Sequence, residues 1–415
     1  MIDDRSRLLR RLVLAAACAA AALGPALAAT DPLSPPDLER YLRWGPLRAR
    51  PGISLTDIGY DSNVLNTANG PADFRATVAP RLEGLMLFGD LAFLTFTEEI
   101  RYTAYQSFAE LNYFDQLGTA RLTFPVRKAG LYTEGQYDRV REQPVDFDDS
   151  RPIRKLERLR VGGIFRSGWR TTVDVSHEFR DFTYTDDDYP NPDLTIGETL
   201  DRRETATRAE ARLGLGGRST LTLEATAFDI RFDTPSLSGD PELDRNADGW
   251  RILPGIILGE GGRLTGTVRL GPSRLDYKSD ELFDYSGPTG EADVRYRPTA
   301  RLALRMRGFR QVGFAVSEGN NYYVNSEVRL IATYWLRRWL GLEPELADGS
   351  LSIPGTDRDD ALLEWKVSAR IRLYENDLGR RTEYVVRYGQ SRRDSNIDAY
   401  DRSRTIFNVG VNLGF

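Results

Sequence analysis

The sequence predicts an all-β fold: a transmembrane antiparallel up-and-down β-barrel of about 18 strands (16–18), with short periplasmic turns and longer extracellular loops. Three observations predict it. The chain ends on an alternating apolar strand, it begins with a basic and then apolar stretch, and tight turns recur about every 40 residues between them.

The last strand runs from Thr405 to Phe415. Phe407, Val409, Val411, Leu413 and Phe415 share one face, and Asn408, Gly410, Asn412 and Gly414 share the other. A soluble protein rarely stops on a bare aromatic at a strand end. Outer-membrane barrels commonly do, because the barrel assembly machinery reads that strand, so these five apolar residues are the expected assembly signal.

At the other end, Arg5, Arg7, Arg10 and Arg11 precede the apolar run Leu12–Leu23, and Ala26-Leu27-Ala28 makes a cleavage site. Residues 1–28 therefore read as a cleaved signal peptide that carries the protein through the inner membrane. The apolar run is too short to span a bilayer. Cys18, the one cysteine, leaves with it, so no disulfide or thiol chemistry is expected in the mature chain. Residues 29–50, rich in proline, read as a periplasmic N-terminal lead-in, and 51–415 as the barrel.

Mean hydropathy is −0.44, which resembles a soluble protein. A barrel escapes that statistic because its two faces alternate, so only a period of two is informative. That period is plain in Phe74–Glu83, Trp169–Phe179 and Leu363–Leu373, and similar faces occur in Arg208–Leu215, Leu221–Ala227, Glu291–Tyr296 and Arg301–Gly308. Tight turns fall at 88–90, 127–130, 167–168, 216–218, 259–262, 298–299, 336–338 and 377–379. Longer polar loops fall near 61–73, 143–152, 184–203, 233–248, 273–289, 347–360 and 390–402, with shorter breaks at 106–111 and 316–320. Eight turns and two chain ends make 18 strands, with both ends on the periplasmic side. Aromatic residues cluster at strand ends, as interfacial girdles do: Phe88, Phe124 and Trp335 near turns, Tyr102, Phe182 and Tyr388 near loops.

Net charge is −5, and it hides a separation. The polar faces carry an excess of arginine: Arg75, Arg81, Arg101, Arg121, Arg158, Arg160, Arg170, Arg208, Arg212, Arg269, Arg295, Arg305, Arg307, Arg329, Arg370 and Arg372 are the expected basic pore-lining residues. The loops are acidic, as at Asp146, Asp148, Asp149 and Asp186–Asp188. An aqueous lumen with low-dielectric walls focuses the field of its charges, so such a lumen favours anions. The competing reading is that arginines and acids brace the wall in ladders. Asp186–Asp188 with Asp193 lack the spacing of a calcium loop and read as solvated.

Enzyme chemistry is not expected. His177, the one histidine, is in phase with Val173, Val175 and Phe179 on the apolar face, away from any nucleophile. With no second histidine and no mature cysteine, neither a metal nor a cofactor is predicted, and an acidic exterior excludes nucleic acid. The expected partners are outer-membrane lipids and lipopolysaccharide.

Gly59-Tyr60-Asp61-Ser62-Asn63-Val64, following an extended opening strand, resembles the start of the putative β-barrel porin 2 group of outer-membrane proteins, several of which are associated with exopolysaccharide operons. The strand number and basic lumen are also similar to those of the alginate export porin. This resemblance implies export of an acidic exopolysaccharide beside a polysaccharide export apparatus. A general uptake porin for small anionic nutrients and a closed structural or adhesion barrel are the alternatives.

Overall fold

The structure, a computed structural model, describes residues 33–414 except 143–150, 169, 186–195, 217–218, 237–239, 260–261, 316–320, 357 and 376–380. The predicted signal peptide, the acidic stretches at Asp146–Asp149 and Asp186–Asp188, and Phe415 lie outside the described residues.

The strands are β1 (Leu42–Trp44), β2 (Leu47–Asp61), β3 (Asp73–Phe88), β4 (Ala92–Tyr105), β5 (Tyr113–Val126), β6 (Ala129–Arg141), β7 (Ile153–Ser167), β8 (Thr171–Thr185), β9 (Arg202–Gly214), β10 (Ser219–Phe232), β11 (Ala247–Leu258), β12 (Leu264–Tyr277), β13 (Tyr285–Tyr296), β14 (Leu302–Phe314), β15 (Tyr322–Trp335), β16 (Leu340–Ser352), β17 (Asp359–Glu375), β18 (Arg381–Ser395) and β19 (Arg402–Gly414). One short helix, α1 (Ile196–Leu200), precedes β9. From β2 onward each strand pairs antiparallel with the next, and β19 pairs back to β2, closing an 18-stranded barrel. β1 pairs only with the foot of β2, through Leu42↔Ala49 and Trp44↔Leu47.

Closure follows from the alternation. One face carries exposed apolar residues, such as Val161 and Phe165 on β7, Leu221 and Leu223 on β10, Leu363 and Val367 on β17, and Phe407 on β19. The other face turns inward and carries the charges. The predicted turns at 88–90, 127–130, 167–168, 298–299 and 336–338 join consecutive strands, while 377–379 and parts of 216–218 and 259–262 lie outside the described residues; Gly89 (φ +60°) and Gly216 (φ +82°) supply left-handed backbone at two of these places.

The sequence placed some strand limits wrongly. Residues 273–277, 285–289, 347–352, 359–360 and 390–395 read as loop but are strand. At the loop end both faces are wet, so the apolar alternation vanishes while pairing continues. Outward polar residues there hold one another instead, as in Arg274 Nε–Asp276 Oδ1 at 2.5 Å and Arg392 Nε–Asp394 Oδ1 at 2.6 Å. Similarly, the wall begins at Leu47 rather than after residue 50, because Arg48 and Arg50 read as tail rather than as the wet face of a strand.

The lead-in also touches the barrel. Leu33 is buried against Tyr132 and Ile164 on the inner face of β6 and β7 at their turn end. A Cβ on Gly130 would lie 2.3 Å from Leu33 Cδ2, so any larger residue there displaces Leu33.

The ladder opens at one seam, while β15 stays paired with β16 as far as Val324↔Ser352. β13 and β14 pair only from Gly290↔Arg310 to Tyr296↔Leu304, and above that level they part. Pro288 explains the fork. Its nitrogen faces β14 and has no N–H to give, which removes a ladder bond on that side. Its carbonyl accepts instead from Arg310 Nε (3.2 Å) and from the Tyr285 hydroxyl (2.9 Å).

Candidate functional site: the lumen and its outer constriction

On the inner face, side chains from neighbouring strands stand about 5 Å apart, close enough for one carboxylate to serve several guanidinium groups. Glu134 accepts from Arg121 (3.2 Å) and Arg158 (2.5 Å). Glu204 accepts from Arg180 (3.2 Å) and Arg202 (2.9 Å). Glu210, fully buried, accepts from Arg208 (2.5 Å), Arg212 (2.8 Å) and Arg269 (3.1 Å), gathering β9 and β12 across β10 and β11. On the far wall Arg329 meets Glu327, Glu345 and Glu364, and Arg370 lies between Glu343 (2.7 Å) and Glu383 (2.9 Å). Arg75 approaches Asp57 (3.7 Å) and Asp61 (3.5 Å), while Arg81 and Arg101 flank Glu99.

Not every predicted arginine joins this ladder. Arg170 sits at the turn just before β8, which starts at Thr171. Arg160 donates to Ser176 Oγ (3.0 Å) and stands over the Tyr132 ring. Arg372 stacks on Trp335 at 4.0 Å near the turn end. On β13–β14, Arg305 and Arg307 share a single acid, Asp293. Arg295 is directly opposite Arg305 and makes no ion pair among the described residues. Arginines thus outnumber their ion-paired acids on this patch.

The loop end of the lumen is narrowed where β14 parts from β13. Along β14 and β15 the residues Leu304, Met306, Val328 and Leu330 lie on the outward face. Val312, Phe314, Tyr322 and Val324 continue that series, yet they press against the inner face of β10–β13, on Ile230, Phe232, Ala247, Leu275, Tyr277 and Tyr285. Tyr322 stacks on Tyr277 (6.3 Å between centroids) and meets Tyr285 edge-on (5.7 Å). Asn321 Nδ2 donates to the Phe283 carbonyl at 2.9 Å. Helix α1 closes the same side, with Ile196 and Leu200 packed on Tyr184.

Two arginines lie inside this apolar mouth. Arg202 is sandwiched between Phe182 (4.0 Å) and Phe314 (4.7 Å). Arg245, in the loop before β11, lies over Phe232 at 4.3 Å and donates to the Thr199 carbonyl. It is 5% exposed and makes no ion pair among the described residues. Burial, and secondarily the Arg202 charge, bring it down to about 10. Below this mouth lies a cavity of about 960 Å³, walled by ladder residues such as Arg158, Glu178, Arg208 and Glu224 and by Phe309 and Tyr323 of the hairpin. The sequence named neither Arg202 nor Arg245; the aromatic residues flanking them in space come from different strands and carry no local signal.

His177 faces outward, with Nδ1 3.0 Å from Thr207 Oγ1 and the ring edge-on to Phe179. Among the described residues no group of three or more His, Cys, Asp or Glu side chains could hold a metal.

A family model described as putative beta-barrel porin 2 matches residues 42–415. No curated protein matches the chain. Among solved structures it is similar to the outer membrane protein OpdK of Pseudomonas aeruginosa (12% identity, 88% of this chain and 99% of that one, TM-score 0.47). It is also similar to OccAB3 of Acinetobacter baumannii (10%, 88% and 99%, 0.47). The ferric enterobactin receptor PfeA of Pseudomonas aeruginosa, as a G324V mutant, is alike at 9% identity (88% and 80%, 0.45).

Proposed function

The chain belongs to the putative beta-barrel porin 2 family, and on that footing we propose that this porin-like outer-membrane barrel is an anion-preferring pore for an acidic exopolysaccharide. The observation that carries the reading is the patch on β13–β14, where Arg305 and Arg307 share Asp293 and Arg295 makes no ion pair among the described residues. Together with the arginines gathered on Glu210, this patch gives a positive sign to the field that a passing ion meets. Guanidinium groups suit carboxylates because the fork engages both oxygens and stays charged. A polymer is favoured over small nutrients by the combination of aromatic faces and alternating charges around the 960 Å³ cavity, which offers several weak contacts rather than one tight site.

The test is the reversal potential of the refolded barrel in a planar bilayer under a salt gradient, repeated with an oligouronate added to the compartment on the turn side. Anion selectivity, with current blocked by the oligouronate and not by a neutral oligosaccharide, is the expected result. Cation selectivity would assign the arginines to bracing the wall.

A further inference from the structure

We infer that the lumen cavity holds a sugar-binding subsite, in which Tyr323 and Phe228 are stacking platforms for the pyranose rings of an acidic saccharide. The inference rests on the reading of the barrel as a pore for an acidic exopolysaccharide. It goes beyond that reading by assigning residues that recognise the ring rather than the charge.

Four inward aromatic residues among those described stand directly opposite a glycine on the neighbouring strand: Tyr132↔Gly162, Phe228↔Gly249, Tyr323↔Gly313 and Trp335↔Gly341. Each ring takes the space that a side chain would fill. A Cβ on Gly313 would lie 2.3 Å from Tyr323 Cζ, and one on Gly249 would lie 2.3 Å from Phe228 Cε2. Glycine thus lets the ring lie down on its neighbour's backbone.

Two of these rings already carry a flat group. The Arg121 guanidinium stands over Tyr132 at 3.8 Å, and that of Arg372 over Trp335 at 4.0 Å. Tyr323 and Phe228 line the cavity of about 960 Å³. The C–H face of a pyranose is flat and apolar, with slightly positive hydrogens, and so matches the negative face of an aromatic ring.

Polar groups adjoin both platforms. Next to the Gly313↔Tyr323 pair on the same face, the register sets Gln311 opposite Asn325, and Gln311 is exposed to the cavity. A side-chain amide both donates and accepts, as a sugar hydroxyl does. On the other platform, Arg251 lies two residues along β11 from Gly249. Its side chain is 41% exposed and has Glu224 as its ion partner at 3.3 Å. A guanidinium so placed can also engage the carboxylate of a sugar acid. Rings, amides and arginine together select a saccharide over a polyanion that has no rings.

The experiment measures binding and conduction separately on the full-length refolded barrel. Titration calorimetry in detergent micelles uses an oligouronate as the probe and a polyglutamate of equal charge as the ringless control. Tyr323→Leu and Phe228→Leu are each expected to weaken oligouronate binding about three- to tenfold, the loss of one stacking contact. Tyr323→Phe, which keeps the ring, is expected to bind as the wild type does. Gln311→Ala, at an exposed position that folding does not depend on, is expected to weaken binding about threefold. Polyglutamate binding and the reversal potential in a planar bilayer are expected to stay unchanged in all four variants. Oligouronate binding that is equal in wild type, both leucine variants and Gln311→Ala would overturn the subsite, as would an equal loss of polyglutamate binding. Binding that depends on Tyr323 in a barrel that passes no anion current would instead overturn the pore reading and leave the subsite standing.

Discussion

Arg404 of the last strand holds Asp61 of the first, with Nε 2.8 Å from Oδ1 and an Nη2 contact to the second carboxylate oxygen. The two residues are 343 positions apart and meet only because the barrel closes. Asp61 is 1% exposed and is also approached by Arg75, so the seam between β19 and β2 centres on one buried carboxylate. Beside it, Asn408 Nδ2 donates to Asp57 Oδ1 at 2.9 Å, across the bulge where Asp57 takes φ +54°.

Asp61→Asn should therefore weaken the seam. The amide cannot balance two arginines, and removing one partner of a buried pair costs about 3 kcal/mol. The heat-modifiable shift in gel mobility should move to lower temperature. An unchanged midpoint would mean that the Arg404 contact contributes nothing to closure.

Selectivity should respond unequally to equivalent charge removals. Arg295→Gln takes away a cation that has no acid partner among the described residues, whereas Arg208→Gln strips one from Glu210 and Glu224, which keep others. Reversal potentials should show a clear loss of anion preference for the first. For Arg208→Gln the main effect should be on thermal stability. Equal shifts in selectivity would refute the local imbalance.

Leu33 anchors the lead-in four strands from where Leu42 joins β2, a chord of roughly 25 Å at ordinary strand spacing and tilt. Residues 34–41 must cross the turn-end mouth to link them. Leu33→Asp should release this segment, and trypsin should cleave after Arg40 about tenfold faster in the folded barrel. Gly130→Val, which fills the socket from the other side, should do the same. Cleavage at the wild-type rate in both would show that the socket holds nothing in place.

Arg245 gives a pH dependence of definite sign. Its folded-state pKa, about 10, lies below the usual arginine range, so its charge costs folding stability at neutral pH. That cost is relieved as pH rises past 10, when the folded protein gives up the proton before the unfolded chain does. Arg245→Met should accordingly unfold later than wild type at pH 8, and the difference should shrink by pH 11. A difference that grows with pH would show the guanidinium to be stabilised by its Thr199 and Phe232 contacts instead.

Much of this molecule was legible in its sequence. Leu363, Trp365, Val367, Ala369, Ile371 and Leu373 alternate with Glu364, Lys366, Ser368, Arg370 and Arg372, and a period of two can only mean a strand with two unlike faces. Repeated between tight turns, that pattern determined the barrel and its strand number, since an alternating sheet with no free edge has few other ways to close. The limits of the strands were less legible where both faces are polar, as at Arg392–Asp394. What only the tertiary structure decided is what covers each face. Val312 and Phe314 continue the outward apolar series of Leu304 and Met306, yet a fork at Pro288 places them against Phe232 inside. Arg208, Arg212 and Arg269 look alike in sequence, and they share Glu210 because strand register places them around it, while Arg295 is left facing Arg305. Alternation records which side chains lie together along one strand; their partners across strands depend on register and on where the ladder breaks, and both are properties of the closed sheet.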